Sequence, residues 1–295
     1  MRTKTSIRAL ILLMSDSDEL VRIHAKETLC EYGCSILPDI EQLEEEAILH
    51  PEYHENLVEV LNHLRLGKLK FELQQWLNSR TKDLKEAVYL IDTYQFPEFS
   101  KEDFDDKISS LQHRCWLRIN HRQTSFERVK ILNELFFEEF DFYCIERLPY
   151  TPFDIYVNSV MDTKEGSSFS LGLIYSILAQ SMDIPIYGVV STNNRTPFVL
   201  AYMDKNHSLS FLNWEINNNG VLFYISVGRE GAIIEPSRLV DIYEAGGLPT
   251  DKAQFEPSSN TTLIKRYLLE IHRSYSNQPH FRYKLKDIEE LLDLF

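Results

Sequence analysis

The spacing of apolar residues in the first half of the chain predicts a series of helices. Apolar residues predominate over positions 7–14, the polar stretch 15–18 interrupts them, and a second apolar pattern covers 20–32. Gly33 then stands where helices commonly end, and Pro38 stands where a helix commonly begins. A helical spacing of apolar residues returns over 56–76, 83–94, 104–119 and 125–137.

The pattern changes in the second half, which predicts an α+β unit. A helix is expected over 169–182, followed by strands rich in β-branched and aromatic residues over 184–190, 198–203, 209–212 and 222–227. Turn-forming residues at 204–206 and 217–220 place these strands close together, so we expect antiparallel pairing. Helices are expected again over 263–275 and 281–294, after a break at 256–260.

These elements predict three regions: helices over 1–125, a helix packed on an antiparallel sheet over 126–256, and a C-terminal helical pair over 257–295. Residues 10–40 resemble a HEAT-type repeat, which needs neighbouring helices to cover its apolar faces. The aromatic segment 143–156 contains two prolines and is expected to form a loop that lies on the core. The acidic residues of 41–59 are expected to form a solvated helix face.

Charge and composition narrow the classes of function. The 45 acidic residues outnumber the 31 basic ones, giving a net charge of −14, which argues against binding to nucleic acid or to anionic lipid. No apolar stretch approaches the ~20 residues that span a bilayer. The basic opening followed by six apolar residues resembles the start of a signal peptide, but it is short and lacks a cleavage site, so we expect a helix of the mature protein.

The four cysteines do not indicate a disulfide framework in so long a chain. Cys30 and Cys34 have helical spacing but no adjacent histidine, so they do not indicate a zinc site. We expect Cys30, Cys34, Cys115 and Cys144 to be free thiols in a reducing cytoplasm.

Five segments together resemble the SirB1 family of bacterial transglutaminase-like/TPR proteins. They are LNELFF (132–137), VNSVMDTKEG (157–166), GSSFSLGLIYSILAQSMDIPIYGV (166–189), TPFVLAYMD (196–204) and VLFYISVGREGAII (221–234). Order, spacing and residue identity agree with the family over about half of the chain. The resemblance implies a papain-like transglutaminase core, in which a cysteine at the start of a central helix faces a histidine and then an aspartate or asparagine on strands.

The sequence departs from the family at all three catalytic positions. Ser168 matches the cysteine, Pro197 the histidine and Ser226 the aspartate or asparagine. Serine needs a base to become a nucleophile, and proline cannot be one. We expect structural roles instead: Ser168 as a helix N-cap, Pro197 at the start of a strand and Ser226 at the end of one.

The favoured hypothesis is therefore a pseudoenzyme that binds an unidentified protein or a ligand and uses no cofactor and no metal. The helical first half would supply the contact surface, and neither nucleic acid nor membrane is an expected partner.

Alternatives remain open. Ser168 could serve a serine hydrolase or acyltransferase with a base from elsewhere, such as His207. A metal or redox site could use His113, Cys115 and His121. Cys144 could act with a histidine that is close in space. The loop residues Asn193, Asn194 and Arg195 could line a cleft and bind a polar ligand.

Overall fold

The structure is a computed structural model that describes residues 4–47, 54–191, 198–203, 220–276, 278 and 281–295. The chain divides into two compact units, residues 1–79 and residues 80–295. Both predicted boundaries, at 125/126 and at 256/257, fall within the second unit. The three-region division therefore stays a prediction about organisation.

The first unit is helical in its described residues, as the apolar pattern predicts. Its helices α1 to α4 span Lys4–Leu13, Glu19–Tyr32, Leu37–Ala47 and His54–Asn78. Asp18 caps α2 by accepting a hydrogen bond from the Leu20 N–H at 2.9 Å. Gly33 ends α2 with a φ of 60°, a left-handed conformation that favours glycine. The buried apolar core of this unit includes Ile11, Leu29, Ile40, Leu57 and Leu61.

The second unit begins with three helices that lead towards the sheet. They are α5 (Leu84–Gln95), α6 (Lys101–Arg118) and α7 (Ser125–Asn133). Thr124 and Glu127 form a reciprocal capping box at the start of α7. The chain continues from α7 as a single π-helical segment, Glu134–Glu139. The helices predicted over 83–94, 104–119 and 125–137 are thus confirmed, the last as an α-helix that continues into the π-helical segment.

The described residues of the second unit form two sheets. A short parallel pair joins β1 (Tyr143–Cys144) to β2 (Glu165–Gly166). The larger sheet has the order β3-β4-β5-β6 and is antiparallel throughout, with strands Ile186–Val189, Val199–Met203, Val221–Ser226 and Ala232–Ile234. This confirms three predicted strands and their pairing. The fourth predicted strand, 209–212, and the turns at 204–206 and 217–219 lie outside the described residues.

Helix α9 is the centre of the second unit. It spans Ser168–Ser181 and is buried continuously from Phe169 to Ala179. Helices α6 and α8 (Val157–Thr163) and strands β3 and β4 surround it. A helix that is apolar on all sides requires such a buried position. This arrangement of helices around a small antiparallel sheet confirms the predicted α+β class.

The remaining helices complete the second unit. They are α10 (Pro236–Ala245), α11 (Asn260–Ser276) and α12 (Arg282–Leu292). The last two confirm the predicted C-terminal pair. The expected break at 256–260 is bonded to the sheet instead, since the Ser258 N–H donates to the Gly188 carbonyl at 2.8 Å and its hydroxyl accepts from the Val190 N–H at 3.0 Å.

The aromatic segment 143–156 lies on the core only in part. Ile145, Ile155 and Tyr156 are buried, but Tyr143, Leu148 and Phe153 are 50%, 74% and 60% exposed. The expectation that this segment lies on the core is therefore confirmed only for its buried residues. Among the described residues, no helix combines the length and the apolar character needed to cross a membrane.

Candidate functional site

The start of α9 is held by a network of serine hydroxyls. Ser167 is the N-cap, and its hydroxyl accepts from the Ser170 N–H at 3.1 Å. The Ser170 hydroxyl donates to the Ile155 carbonyl at 2.7 Å, and the Ser167 N–H donates to the Asp154 carbonyl at 2.9 Å. The expected N-cap role of Ser168 is therefore wrong by one residue. Ser168 is the first helical residue, and its side chain does not cap the helix.

Ser168 lies beside two groups from distant parts of the chain. A methyl group at Gly228 would lie 3.3 Å from Ser168 Cβ and 3.8 Å from Cys144 Sγ. Strand β1 brings Cys144 here, because its pairing with β2 sets Cys144 opposite Gly166, two residues before Ser168. A thiol thus lies close to the helix start, although the aligned position carries a hydroxyl.

The Cys144 thiol has a raised pKa. Burial is the main cause and the nearby Glu146 carboxylate adds to it, while a hydrogen bond from the Ser168 backbone N–H acts in the opposite direction. Because the nucleophilic form of cysteine is the thiolate, a raised pKa keeps this half-buried thiol protonated and weakly reactive at neutral pH.

Ser226 ends β5, where it is buried and pairs with Ala232. The chain then turns through the short 3₁₀ helix Val227–Arg229, which contacts α9. The expected position of Ser226 at a strand end is therefore confirmed. This turn, which contains Gly228, packs against the start of the helix that carries Ser168.

An amide side chain ties this turn to the centre of the unit. Asn133 Nδ2 donates to the Gly231 carbonyl at 2.8 Å, and Asn133 Oδ1 accepts from the Tyr175 hydroxyl at 2.8 Å. Gly231 has a φ of 73°, and a methyl group there would lie 2.1 Å from Asn133 Oδ1. Asn133 belongs to the LNELFF segment, so this part of the resemblance corresponds to a structural bond.

Several sequence candidates fall outside the described residues. They are Pro197, His207, Asn193, Asn194 and Arg195. Among the residues that the structure describes, no histidine or carboxylate forms a hydrogen bond with the Ser168 hydroxyl. The arrangement of described groups around Ser168 therefore supplies a hydroxyl and a neutral thiol, but no general base.

The structure does not bring His113, Cys115 and His121 together as a metal site. Cys115 is fully buried, and burial raises the pKa of its thiol to about 12, which opposes the thiolate form that metals bind. His113 and His121 are exposed on α6 and on the loop after it. The described parts of the chain contain no group of three or more His, Cys, Asp or Glu placed to hold a metal ion.

The contact between Cys144 and Ser168 had no sequence signal that we recognised. It depends on two parallel strands of two residues each, which are too short to leave a pattern. The bond from Asn133 to Gly231 joins residues 98 positions apart, and only the family resemblance marked both segments.

Comparisons with known proteins agree with this architecture. The sequence profile of the transglutaminase-like superfamily matches residues 102–269. The UPF0162 protein PM0557 of Pasteurella multocida is 31% identical over 62 residues. That similarity covers 21% of this chain and 24% of the relative, so the chain spans about a quarter of the curated relative that it matches. No solved structure matches the chain.

Proposed function

The chain belongs to the transglutaminase-like superfamily, and from that premise we propose that it is a non-catalytic member that acts by binding a protein or a ligand. The observation that carries this proposal is the chemistry at the start of α9. Ser168 lies where the resemblance places the nucleophile, and the neighbouring Cys144 thiol has a raised pKa. A serine hydroxyl without a positioned base is a poor nucleophile at neutral pH.

Close packing gives a structural reason for the glycines in the segments that resemble the family. A methyl group at Gly172 would lie 2.4 Å from Phe198 Cε1, and one at Gly188 would lie 2.5 Å from Leu263 Cδ2. At Gly166 the same group would meet Val160 Cγ1 at 2.7 Å. Close packing of this kind requires glycine whether or not the site performs chemistry, so the fold can outlast the activity.

We further propose that the protein is of the SirB1 type, bacterial and cytoplasmic. The five segments quoted above support the family type, and the P. multocida relative accords with a bacterial origin. Four free cysteines support a reducing compartment. For the partner we propose a protein, because the net charge of −14 disfavours nucleic acid.

A direct test is covalent labelling of the full chain with a fluorophosphonate, combined with turnover assays on amine, amide and ester substrates. We expect no labelling of Ser168 and no turnover that Ser168→Ala abolishes. Ser181→Ala is the matched control, because Ser181 ends the same helix and its hydroxyl donates to the Leu178 carbonyl.

Labelling at Ser168, or turnover lost in Ser168→Ala and kept in Ser181→Ala, would overturn the proposal. It would support the alternative of a serine hydrolase or acyltransferase. His207→Ala would then show whether that histidine is the base.

A further inference from the structure

A groove of about 670 Å³ lies at the opposite end of α9 from Ser168. It is formed where α6 and α9 end, and the loop that leads into α7 closes one side. The 14 residues of α9 span roughly 20 Å at 1.5 Å per residue, so this groove is separate from the Ser168 site. All its lining residues belong to the second unit.

Arg128 provides a cation on the wall of the groove. Its Nη2 donates to the His121 carbonyl at 3.2 Å, which holds the guanidinium against the loop. Its Nε is shielded from solvent and has no hydrogen-bond partner. Among the described residues no carboxylate pairs with this guanidinium, whereas Arg114 and Arg118 on α6 both pair with Glu139.

Trp116 provides an apolar surface in the same groove. The residue is 69% exposed, so its indole is accessible to a ligand in the groove. Ile119 and Met182 are half-buried and line the groove with it. A flat indole and a guanidinium that has no carboxylate partner among the described residues line the same groove, which suits a ligand that has both an apolar group and an anionic group.

The charges in the groove favour a carboxylate over a phosphate. Asp183 also lines the groove, and its exposed carboxylate offsets the positive charge of Arg128. A groove of near-zero net charge does not compensate the larger desolvation cost of a doubly charged phosphate, so it favours a singly charged carboxylate. Because Nε is shielded and Nη2 donates to the His121 carbonyl, we expect a carboxylate to pair with Arg128 through Nη1.

We propose that this groove binds a molecule that carries one carboxylate and an apolar or aromatic group, with Arg128 on the carboxylate and Trp116 against the apolar group. The inference goes beyond the proposed function and is independent of it, because it holds whether or not Ser168 is catalytic. Such a ligand could be a small carboxylic acid or the C-terminus of a peptide.

Fluorine NMR titration of the full chain tests the proposal, with N-acetyl-4-fluorophenylalanine and its primary amide as probes. We expect saturable binding of the acid and binding at least about tenfold weaker for the amide, which cannot pair ionically with Arg128. Arg128→Gln should weaken binding of the acid by a similar factor. Arg122→Gln is the matched control, because Arg122 lies in the same loop, is exposed and does not line the groove.

Trp116→Ala provides a second variant in case Arg128→Gln disturbs the loop. The indole is mostly exposed, so its removal should leave the melting temperature nearly unchanged while weakening binding at least about threefold. The peptide N-acetyl-Ala-Ala-(4-fluorophenylalanine) separates the two sources of ligand. Tighter binding than the single amino acid supports a peptide C-terminus, and equal binding supports a small acid.

Equal affinity for acid and amide would overturn the proposal. So would the absence of saturable binding, or loss of affinity in Arg122→Gln equal to that in Arg128→Gln. Fluorophosphonate labelling of Ser168 would contradict the proposed function alone and would leave the groove untouched.

Discussion

Asp92 is a charged residue type at a fully buried position on α5. Its carboxyl accepts hydrogen bonds at 2.6 Å from the Tyr267 hydroxyl and at 2.6 Å from the Asn158 N–H. The Tyr267 hydroxyl in turn accepts from the Val157 N–H at 2.9 Å. Burial raises the pKa of Asp92 from 3.8 to about 7, although both donors favour the charged form. One carboxyl thus links α5, α8 and α11.

This raised pKa predicts a loss of stability as pH increases. Between about pH 4 and pH 7 the folded protein holds a proton on Asp92 that the unfolded chain has released. The contribution of Asp92 to the free energy of unfolding therefore decreases as the pH rises through this range. Asp92→Asn cannot ionise. Its destabilisation relative to the natural protein should therefore be smaller at about pH 8.5 than at about pH 5, by on the order of 2 kcal/mol.

Urea unfolding at the two pH values measures this difference for Asp92→Asn. Asp106→Asn is the control, because Asp106 is exposed on α6 and should show no such dependence on pH. An equal destabilisation by Asp92→Asn at both pH values would show that the carboxyl stays ionised in the folded protein.

The thiols also differ residue by residue. The pKa of Cys144 is raised mainly by burial, and burial raises that of Cys115 to about 12, whereas Cys34 is exposed. We expect iodoacetamide at neutral pH to modify Cys34 first, Cys144 slowly and Cys115 only after unfolding. Mass spectrometry of peptides over time measures the order. Modification of Cys144 before Cys34 would indicate an activated thiolate beside α9 and would count against the proposed loss of chemistry.

Two helical glycines show how packing can reverse the effect of helix propensity. Gly67 lies within α4, where a methyl group would meet no atom within 4 Å. Gly172 lies within α9, where the same group would lie 2.4 Å from Phe198 Cε1. Helix propensity favours alanine at both positions, but packing opposes it at the second.

Alanine substitutions should therefore change stability in opposite directions. We expect Gly67→Ala to stabilise the first unit by about 0.5–1 kcal/mol and Gly172→Ala to destabilise the second by about 1–3 kcal/mol. Native-state hydrogen exchange measures each unit separately. Stabilisation by Gly172→Ala would mean that Phe198 moves aside at little cost.

The elements also show what the sequence could and could not predict. Long apolar patterns predicted α2, α5, α9 and α11 to within a few residues, because burial leaves apolar residues at helical spacing over many residues. Helix α8 and strand β6 were missed, because seven and three residues are too few for a pattern. The N-cap of α9 is Ser167 rather than the predicted Ser168. Both serines are suited to this position, and hydrogen bonds from other parts of the fold decide between them.

At the scale of the whole molecule, the sequence predicted the class of fold but not the grouping of its parts. The resemblance identified the positions of Ser168 and Ser226, and the structure packs the turn after Ser226 against the start of α9. Which groups surround Ser168 depends on contacts between distant segments, such as that of Cys144, and periodicity carries no information about those. The boundary near residue 79 likewise depends on contact density, because no composition change marks it.

This boundary predicts that the chain can be cut there with little damage. The chain between α4 and α5 is short, and Lys82 already belongs to the second unit, since its carbonyl accepts from Asn260 Nδ2 at 2.9 Å. A specific protease site inserted between Ser79 and Arg80 should therefore be cleaved without unfolding either fragment, because each unit has its own buried core. The melting temperature of the 80–295 fragment should stay within about 2 °C of that measured before cleavage.

The same insertion between Asn120 and His121 is the control, because a cut there separates α6 from α7 within one unit and should lower the melting temperature by more. Unfolding of the 80–295 fragment after the first cut would show that the superfamily core, residues 102–269, depends on the N-terminal helices for its stability.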